Sequence, residues 1–206
     1  MKKSSSLVIQ RTIKLMLFVL IAFISTSCAN ETKHTKHEGL SNKLFTLKGQ
    51  GWKSKQIIHF TNNLSYKATQ VPSEYYLLKN EGTSDLKQID SISKRLENER
   101  IIEFEFEHFE SDDLLKSNYT NLNYDESVMY MANTIQKDFI AITAKNDTIP
   151  CVGVLFERNF KVAPFKRVLL YFNNIPPEEN IQLIYNDALF NNGTFKFKFS
   201  EIPFKT

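Results

Sequence analysis

The chain contains few of the residues on which several common kinds of site depend. Of its 206 residues, two are cysteine, six are glycine and one is tryptophan. Two cysteines cannot build the disulfide framework of a small exported domain. The patterns G-x-S-x-G, H-E-x-x-H, G-x-G-x-x-G and the P-loop are all missing. We therefore predict that the chain is not an enzyme, and we expect no catalytic residue, no metal and no bound cofactor.

The N-terminal segment has the features of an export signal. An apolar run, Leu15–Ile24, is too short to cross ~30 Å of hydrocarbon but has the length of a signal-peptide core. Small residues, Ser25–Ser27, lead from this run into Cys28. The segment resembles the lipobox of bacterial lipoproteins. This resemblance implies that residues 1–27 are removed as a signal peptide and that Cys28 carries diacylglycerol and an acylated N terminus. The basic residues that precede the run are Lys2, Lys3, Arg11 and Lys14.

Loss of this segment would reverse the sign of the net charge. The whole chain has 26 Lys and Arg against 23 Asp and Glu, and removing four basic residues leaves 22. The slight acidic excess argues against a nucleic-acid partner, because such binding depends on a basic surface. Acyl chains on Cys28 would make the membrane a partner instead. We expect the protein in the bacterial cell envelope, lipid-anchored on the outer membrane and facing the periplasm.

A polar stretch follows the cysteine. Ala29–Lys43 has almost no apolar residues, so it cannot bury enough surface to order itself. We predict a flexible tether over residues 28–43, with a reach of roughly 45 Å when extended. His34 and His37 lie in this tether, but two histidines are too few for a zinc site. Residues 44–206 are predicted to form a single β-rich domain.

The predicted domain has the composition of a β protein. Phe, Tyr, Ile and Val are plentiful, and Asn, Asp and Gly separate the apolar runs. Several short strands at this spacing are typical of an antiparallel sandwich. The last ~60 residues resemble the small immunoglobulin-like modules of exported lipoproteins, although in texture alone. We predict a mainly β fold, an antiparallel immunoglobulin-like β-sandwich. Its strands are Leu44–Lys48, Gln56–Thr61, Tyr75–Lys79, Arg100–Phe109, Asp138–Ala144, Ile149–Glu157, Arg167–Phe172, Ile181–Tyr185 and Thr194–Phe199.

Two segments depart from the strand pattern. Apolar residues recur at three- and four-residue steps over Ser84–Asn98, which predicts one amphipathic helix near 84–98. Ser84 is the expected N-cap. Residues 127–136 fit a helix about as well as a strand, and both assignments stay open.

An acidic strand offers the alternative of catalysis. In Arg100–Phe109, Ile102, Phe104 and Phe106 alternate with Glu103, Glu105 and Glu107, so the carboxylates share one face. We expect this face to be solvated, because charges keep a strand soluble. Carboxylates ~5–10 Å apart also run glycoside hydrolysis. The Glu103–Asp113 region therefore supports an alternative reading of the chain as a glycan-acting hydrolase.

A ligand or partner surface is predicted just after this strand. Acidic, amide and aromatic side chains are mixed over residues 110–125, and loops at sandwich ends often carry function. Such side chains suit a sugar or an envelope protein as partner. The candidate surface residues are Glu110, Asp112, Asp113, Tyr119 and Tyr124.

Cys151 and two hydroxyl residues complete the candidates. Cys151 lies in an apolar run, which favours a neutral core thiol over a nucleophile. A catalytic Cys151–His108 pair is the alternative. Ser91 and Thr148 each follow an aspartate in a pattern that resembles the O-glycosylation acceptors of some exported bacterial proteins. Thr148 is the better candidate, because Ser91 lies in the predicted helix.

These observations favour a non-enzymatic envelope lipoprotein. The domain would bind or brace another envelope component from its membrane anchor. A periplasmic inhibitor or immunity lipoprotein is a variant of this hypothesis, because it needs only a complementary surface.

Overall fold

Two antiparallel sheets, joined by short helical segments, make up most of the part of the chain that the structure describes. The computed structural model describes residues 56–80, 86–110, 113–158, 165–176 and 178–200. The predicted signal peptide, Cys28, the tether, the strand Leu44–Lys48 and Asp112 all lie outside these residues. Within the described ranges no helix is long and apolar enough to cross a membrane.

The strands divide into a five-stranded and a four-stranded sheet. In chain order they are β1 Gln56–Thr61, β2 Leu64–Val71, β3 Arg100–His108, β4 Phe139–Thr143, β5 Thr148–Pro150, β6 Gly153–Glu157, β7 Phe165–Phe172, β8 Ile181–Asp187 and β9 Gly193–Phe199. The larger sheet has the order β1-β2-β3-β7-β6 and the smaller has the order β5-β4-β8-β9. All neighbouring strands are antiparallel. The predicted antiparallel β-sandwich is confirmed. Because β7 pairs with β3, the sandwich includes the earlier strands as well as the last 60 or so residues.

Short helical segments connect the strands. They are α1 Ser73–Asn80, α2 Leu86–Arg95, α3 Ser117–Thr120 and α4 Tyr124–Met129, which continues as a π-helical turn, Tyr130–Thr134, and a 3₁₀ turn, Ile135–Asp138. Helix α2 confirms the predicted amphipathic helix. Residues 127–136, for which both assignments were open, are helical.

The prediction of a strand over Tyr75–Lys79 is wrong. These residues lie in α1, where Glu74 in the first turn suits the positive end of the helix. The run of tyrosine and leucine has a high β propensity, but propensity yields to tertiary packing. Tyr75, Leu77 and Leu78 are buried, so packing of the helix decides the conformation.

Strand β2 was missed because its hairpin turn has no glycine. Asn62 and Asn63 both adopt positive φ, at 45° and 64°. A two-residue turn of this kind is matched to the twist of a hairpin, and asparagine tolerates it better than most residues. β1 and β2 pair directly across this turn, with Thr61 opposite Leu64.

The predicted strand Ile149–Glu157 is divided between the two sheets. β4 and β5 pair across a turn in which Asn146 has a positive φ. Beyond Pro150 the chain leaves the smaller sheet and enters the larger one as β6. This apolar run therefore contributes one strand to each sheet, and Cys151 and Val152 lie where the chain passes from one sheet to the other.

Aromatic side chains fill the space between the sheets. Phe104 and Phe106 from β3 contact Tyr185 from β8, at ring-centroid distances of 5.1 and 5.8 Å. Phe139 from β4 stacks on Tyr185 at 4.5 Å. Burying such rings supplies most of the stability of a domain without disulfides. The predicted inward face of β3 is confirmed, because Ile102, Phe104 and Phe106 are fully buried.

Candidate functional site

A row of charged side chains crosses the outer face of the larger sheet. Lys67, Glu105, Arg167 and Glu157 stand opposite one another on β2, β3, β7 and β6. Glu105 Oε1 accepts hydrogen bonds from Arg167 Nε at 2.9 Å and Nη2 at 2.5 Å. Glu105 Oε2 forms an ion pair with Lys67, and Arg167 Nη1 donates to Glu157 Oε2 at 3.1 Å. The row links four strands.

This face is not solvated at its centre, and the expectation of a solvent face for the β3 glutamates is wrong there. Glu103 and Glu105 are 8% and 5% exposed. Helix α1 packs over the same face, since Tyr76 meets Tyr171 of β7 with ring centroids 6.4 Å apart. The pKa of Tyr75 is raised by burial and by the nearby Glu103. The residues of α1 were predicted to form a strand, and the sequence pattern of β3 gives no sign that a helix covers its outer face.

Asp113, one of the candidate surface residues, is held inside the structure. Its carboxylate Oδ1 lies 3.1 Å from Lys166 Nζ, and both side chains are almost fully buried. The same oxygen accepts from the backbone N–H of Leu115 at 3.2 Å. Tyr124 donates to Oδ2 at 3.5 Å. These contacts of the Asp113 carboxylate hold the start of the segment 113–130 in place.

The other candidate surface residues are not equally accessible. Tyr119 packs on the core, with its ring 5.0 Å from that of His108. Glu110 and Tyr124 are exposed. Since Asp112 lies outside the described residues, only Glu110 and Tyr124 of the predicted group present their side chains outward. The prediction that this group binds a ligand or partner stays a prediction.

Cys151 and His108 are far apart. Val152, next to the cysteine, donates to Tyr171 O at 2.9 Å, and Tyr171 stands opposite Ile101. His108 is seven residues farther along β3, a distance of roughly 23 Å. The two residues therefore do not form the alternative catalytic pair. Burial raises the pKa of the Cys151 thiol, which donates to Gly153 O at 3.1 Å.

Two buried aspartates carry polar networks that sequence reasoning missed. Asp187 accepts hydrogen bonds from the hydroxyls of Tyr66 at 2.6 Å and Tyr185 at 2.8 Å. It also accepts from the backbone N–H groups of Phe190 at 2.9 Å and Asn192 at 3.2 Å. All these donors belong to the chain itself. A carboxylate with four internal donors is a structural group that fixes the β8–β9 connection to β2.

The second network joins Asp138 to the π-helical turn. Tyr130 donates to both carboxylate oxygens of Asp138, at 3.1 and 2.8 Å. Burial raises the pKa of Asp138 to about 6, a hydrogen bond from Tyr130 lowers it, and the charge of Asp187 raises it. Burial and Asp138 together raise the pKa of Tyr130. The network holds the turn against the start of β4.

An apolar patch is exposed on the outer face of β1. Ile58 and Phe60 are 43% and 64% exposed, and Phe109, just after β3, is 57% exposed. The rings of Phe60 and Phe109 lie 5.6 Å apart. We call Ile58, Phe60 and Phe109 the aromatic patch. Large apolar side chains that cluster on a surface mark interaction sites more often than single ones do.

The sequence contained a signal for this patch. In β1 the outward positions are Ile58 and Phe60, whereas the inward His59 lies 4.7 Å from the ring of Phe197. Phe109 lies two residues after Glu107, so the alternation places it on the same charged face as the β3 glutamates. An apolar residue at a strand position where the alternation predicts a polar one is therefore the sequence signal for such a surface patch.

The two candidate glycosylation residues are both on the surface. Thr148 begins β5 directly after the β4–β5 turn and is exposed, and Ser91 lies exposed on α2. Within the described ranges, no group of three or more His, Cys, Asp or Glu side chains could hold a metal ion.

Comparisons with known proteins found solved structures with only weak similarity to this chain. No family model matches the chain, and no curated protein matches it. A DUF4426 family protein from Pseudomonas aeruginosa aligns with 11% identity and a TM-score of 0.40, over 73% of this chain and 97% of that one. A novel protein of unknown function from Burkholderia pseudomallei aligns with 8% identity and a TM-score of 0.33, over 82% and 87%. At these scores neither likeness carries a functional argument.

Proposed function

We propose that the chain is a lipid-anchored binding protein of the bacterial cell envelope. Acyl chains on Cys28 would hold it on the outer membrane, where the sandwich faces the periplasm and binds another envelope component. The observation that carries the proposal is the run of small residues, Ser25–Ser27, between an apolar signal core and Cys28. Diacylglycerol together with an N-terminal acyl chain is sufficient for stable anchoring.

The geometry supports binding over glycan hydrolysis. A glycosidase needs one carboxylate that gives a proton and another that attacks or activates water. In the Glu103–Asp113 region, Glu105 is held by Lys67 and Arg167, and Asp113 is held by Lys166. Carboxylates committed to such ion pairs are held in a fixed position by neighbouring side chains. The aromatic patch, by contrast, exposes apolar side chains to water, and such side chains favour binding to a partner.

Metabolic labelling tests the anchor. Cells that express the full chain would be grown with an alkyne analogue of palmitate, and the label would be read after separation of the membrane fraction. We expect label on the wild type and on Cys151→Ala, and none on Cys28→Ala. The Cys151→Ala variant is the matched control, because it removes the other cysteine. Label that persists on Cys28→Ala would show that the anchor is not at this residue.

The binding half of the proposal has its own test. The acylated chain would be incubated with purified peptidoglycan, and both retention and release of reducing ends would be measured. Release that depends on Glu110, an exposed carboxylate of the acidic region, would favour the hydrolase. Absence of release, with a stoichiometric protein partner recovered from solubilised envelopes, is the result expected for a binding protein.

A further inference from the structure

We propose that the aromatic patch is a docking site for a protein segment that presents an apolar side chain flanked by lysine or arginine. This inference rests on the proposed binding function and names the chemistry of the partner. It is carried by the exposure of Ile58, Phe60 and Phe109 and by the charges beside them.

The patch is built on ordered strands. Phe60 stands opposite Ser65 of β2, and Ser65 stands opposite Glu107 of β3. The N–H of Phe109 donates to Asn63 O at 3.0 Å, which fixes the residue after β3 against the β1–β2 turn. The two rings, 5.6 Å apart, therefore stand on backbone that hydrogen bonds to β2 and to the β1–β2 turn hold in place. Ordered aromatic side chains lose little entropy on binding, which is why they serve as anchors.

Acidic side chains border the patch. Glu107 is two strands from Phe60 in the same row, about 10 Å away. Glu110 follows Phe109 directly and is exposed. Neither carboxylate forms an ion pair with any other residue in the described ranges, whereas the nearby Glu105 is paired twice. Lys67, which stands opposite Ile58, is itself paired with Glu105. The charges at the border that have no ion-pair partner among the described residues are therefore those of Glu107 and Glu110, and they attract lysine or arginine.

The same observations argue against two other occupants. At ~150–250 Å² for a whole aromatic side chain, the three residues expose roughly 300 Å² of apolar surface. A stable dimer buries ~800 Å² on each partner, so a second copy of the chain has too little surface here. Anionic lipid headgroups would be repelled by Glu107 and Glu110. A short segment with one or two apolar anchors and basic neighbours matches both the area and the charge.

Peptide display on the acylated full chain tests the proposal. A random peptide library would be selected on the detergent-solubilised protein and on Phe60→Ser/Phe109→Ser. Met129→Ser is the matched control, because Met129 is 60% exposed at the end of α4. The π-helical turn that follows it packs on β6, at the opposite edge of the larger sheet from β1. We expect peptides in which an aromatic or aliphatic residue is flanked by Lys or Arg. Their affinity should fall about tenfold or more with the double variant, as for a hot-spot residue, and stay unchanged with Met129→Ser.

The charge contribution is tested separately with Glu107→Gln/Glu110→Gln. This variant should still select apolar residues but lose the preference for Lys and Arg. Selection of the same peptides by Phe60→Ser/Phe109→Ser would overturn the proposal. So would a failure to enrich any peptide, or enrichment of acidic ones. Circular dichroism and thermal unfolding confirm that each variant is folded before its binding is compared.

Two further arms separate the sources of failure. Cys28→Ala should select the same peptides as the wild type, so loss of the anchor and loss of docking give different results. The same unacylated variant would be sedimented with vesicles of phosphatidylethanolamine and phosphatidylglycerol. Retention that disappears with Phe60→Ser/Phe109→Ser would make the bilayer the occupant and would overturn the assignment to a protein segment.

Discussion

The hydroxyl of Tyr66 on β2 donates a 2.6 Å hydrogen bond to the carboxylate of Asp187 at the end of β8. The bond crosses from the larger sheet to the smaller one. Tyr66 also accepts from Asn192 Nδ2 at 2.8 Å, so one hydroxyl links both sheets to the β8–β9 turn. Removing this hydroxyl oxygen therefore tests how much the contact between the two sheets stabilises the fold.

Tyr66→Phe should lower the free energy of unfolding by about 1–3 kcal/mol. The substitution keeps the ring but leaves Asp187 with one donor fewer and Asn192 Nδ2 without its acceptor. Equilibrium urea unfolding measures the change. Tyr124→Phe is the control, because this exposed hydroxyl has only a 3.5 Å bond to Asp113. Its effect should stay below about 0.5 kcal/mol, and equal losses in the two variants would rule out a special role for Tyr66.

The inward face of β3 was predictable, whereas its outer face was not. Alternation along one strand shows which residues share a face, and this placed Phe104 and Phe106 in the core correctly. Whether the other face is covered depends on α1, which lies elsewhere in the sequence. The hydrogen bond between Tyr66 and Asp187 could not be predicted either. Strand β2 was missed, and no local sequence pattern shows which residues of two packed sheets face each other.

Glu105→Gln should destabilise the fold by about 2–3 kcal/mol. It removes one buried charge and leaves Lys67 and Arg167 without their shared partner. Urea unfolding at neutral pH measures the loss. Glu157→Gln is the matched control, because Glu157 is more exposed and touches Arg167 at one oxygen. That variant should lose less than about 1 kcal/mol. If Glu105→Gln behaves like the control, the charged row does not stabilise the sheet.

Asp138→Asn should change how stability depends on pH. The pKa of Asp138 is raised from its ordinary value of 3.8 to about 6 in the folded chain, so the folded state binds this proton more tightly than the unfolded state. The wild type therefore loses stability as pH rises from about 4 to about 6. The asparagine variant lacks this loss and should gain about 1–3 kcal/mol on the wild type across that window.

Urea unfolding at pH 4, 5, 6 and 7 measures the Asp138 effect, and the quantity to compare is the difference between variant and wild type. Tyr130 can still donate to the carbonyl oxygen of the new side chain. Asp147→Asn serves as the control, because Asp147 is exposed in the β4–β5 turn. Its difference from the wild type is the reference for an exposed carboxylate. A difference for Asp138→Asn that does not vary with pH would mean that Asp138 does not titrate in this range.

The thiol of Cys151 should be protected in the folded chain. The residue is buried and its sulfur donates to Gly153 O, and burial also raises its pKa, so both access and thiolate formation are limited. In Cys28→Ala, reaction with Ellman's reagent should be slower than for the denatured chain by roughly two orders of magnitude, because the thiol reacts only after local opening. The control is Ala144→Cys in a Cys28→Ala/Cys151→Ala chain, since Ala144 is exposed and its thiol should react at once. Rapid reaction of native Cys151 would contradict its placement at the crossing between the two sheets and reopen the case for a reactive cysteine.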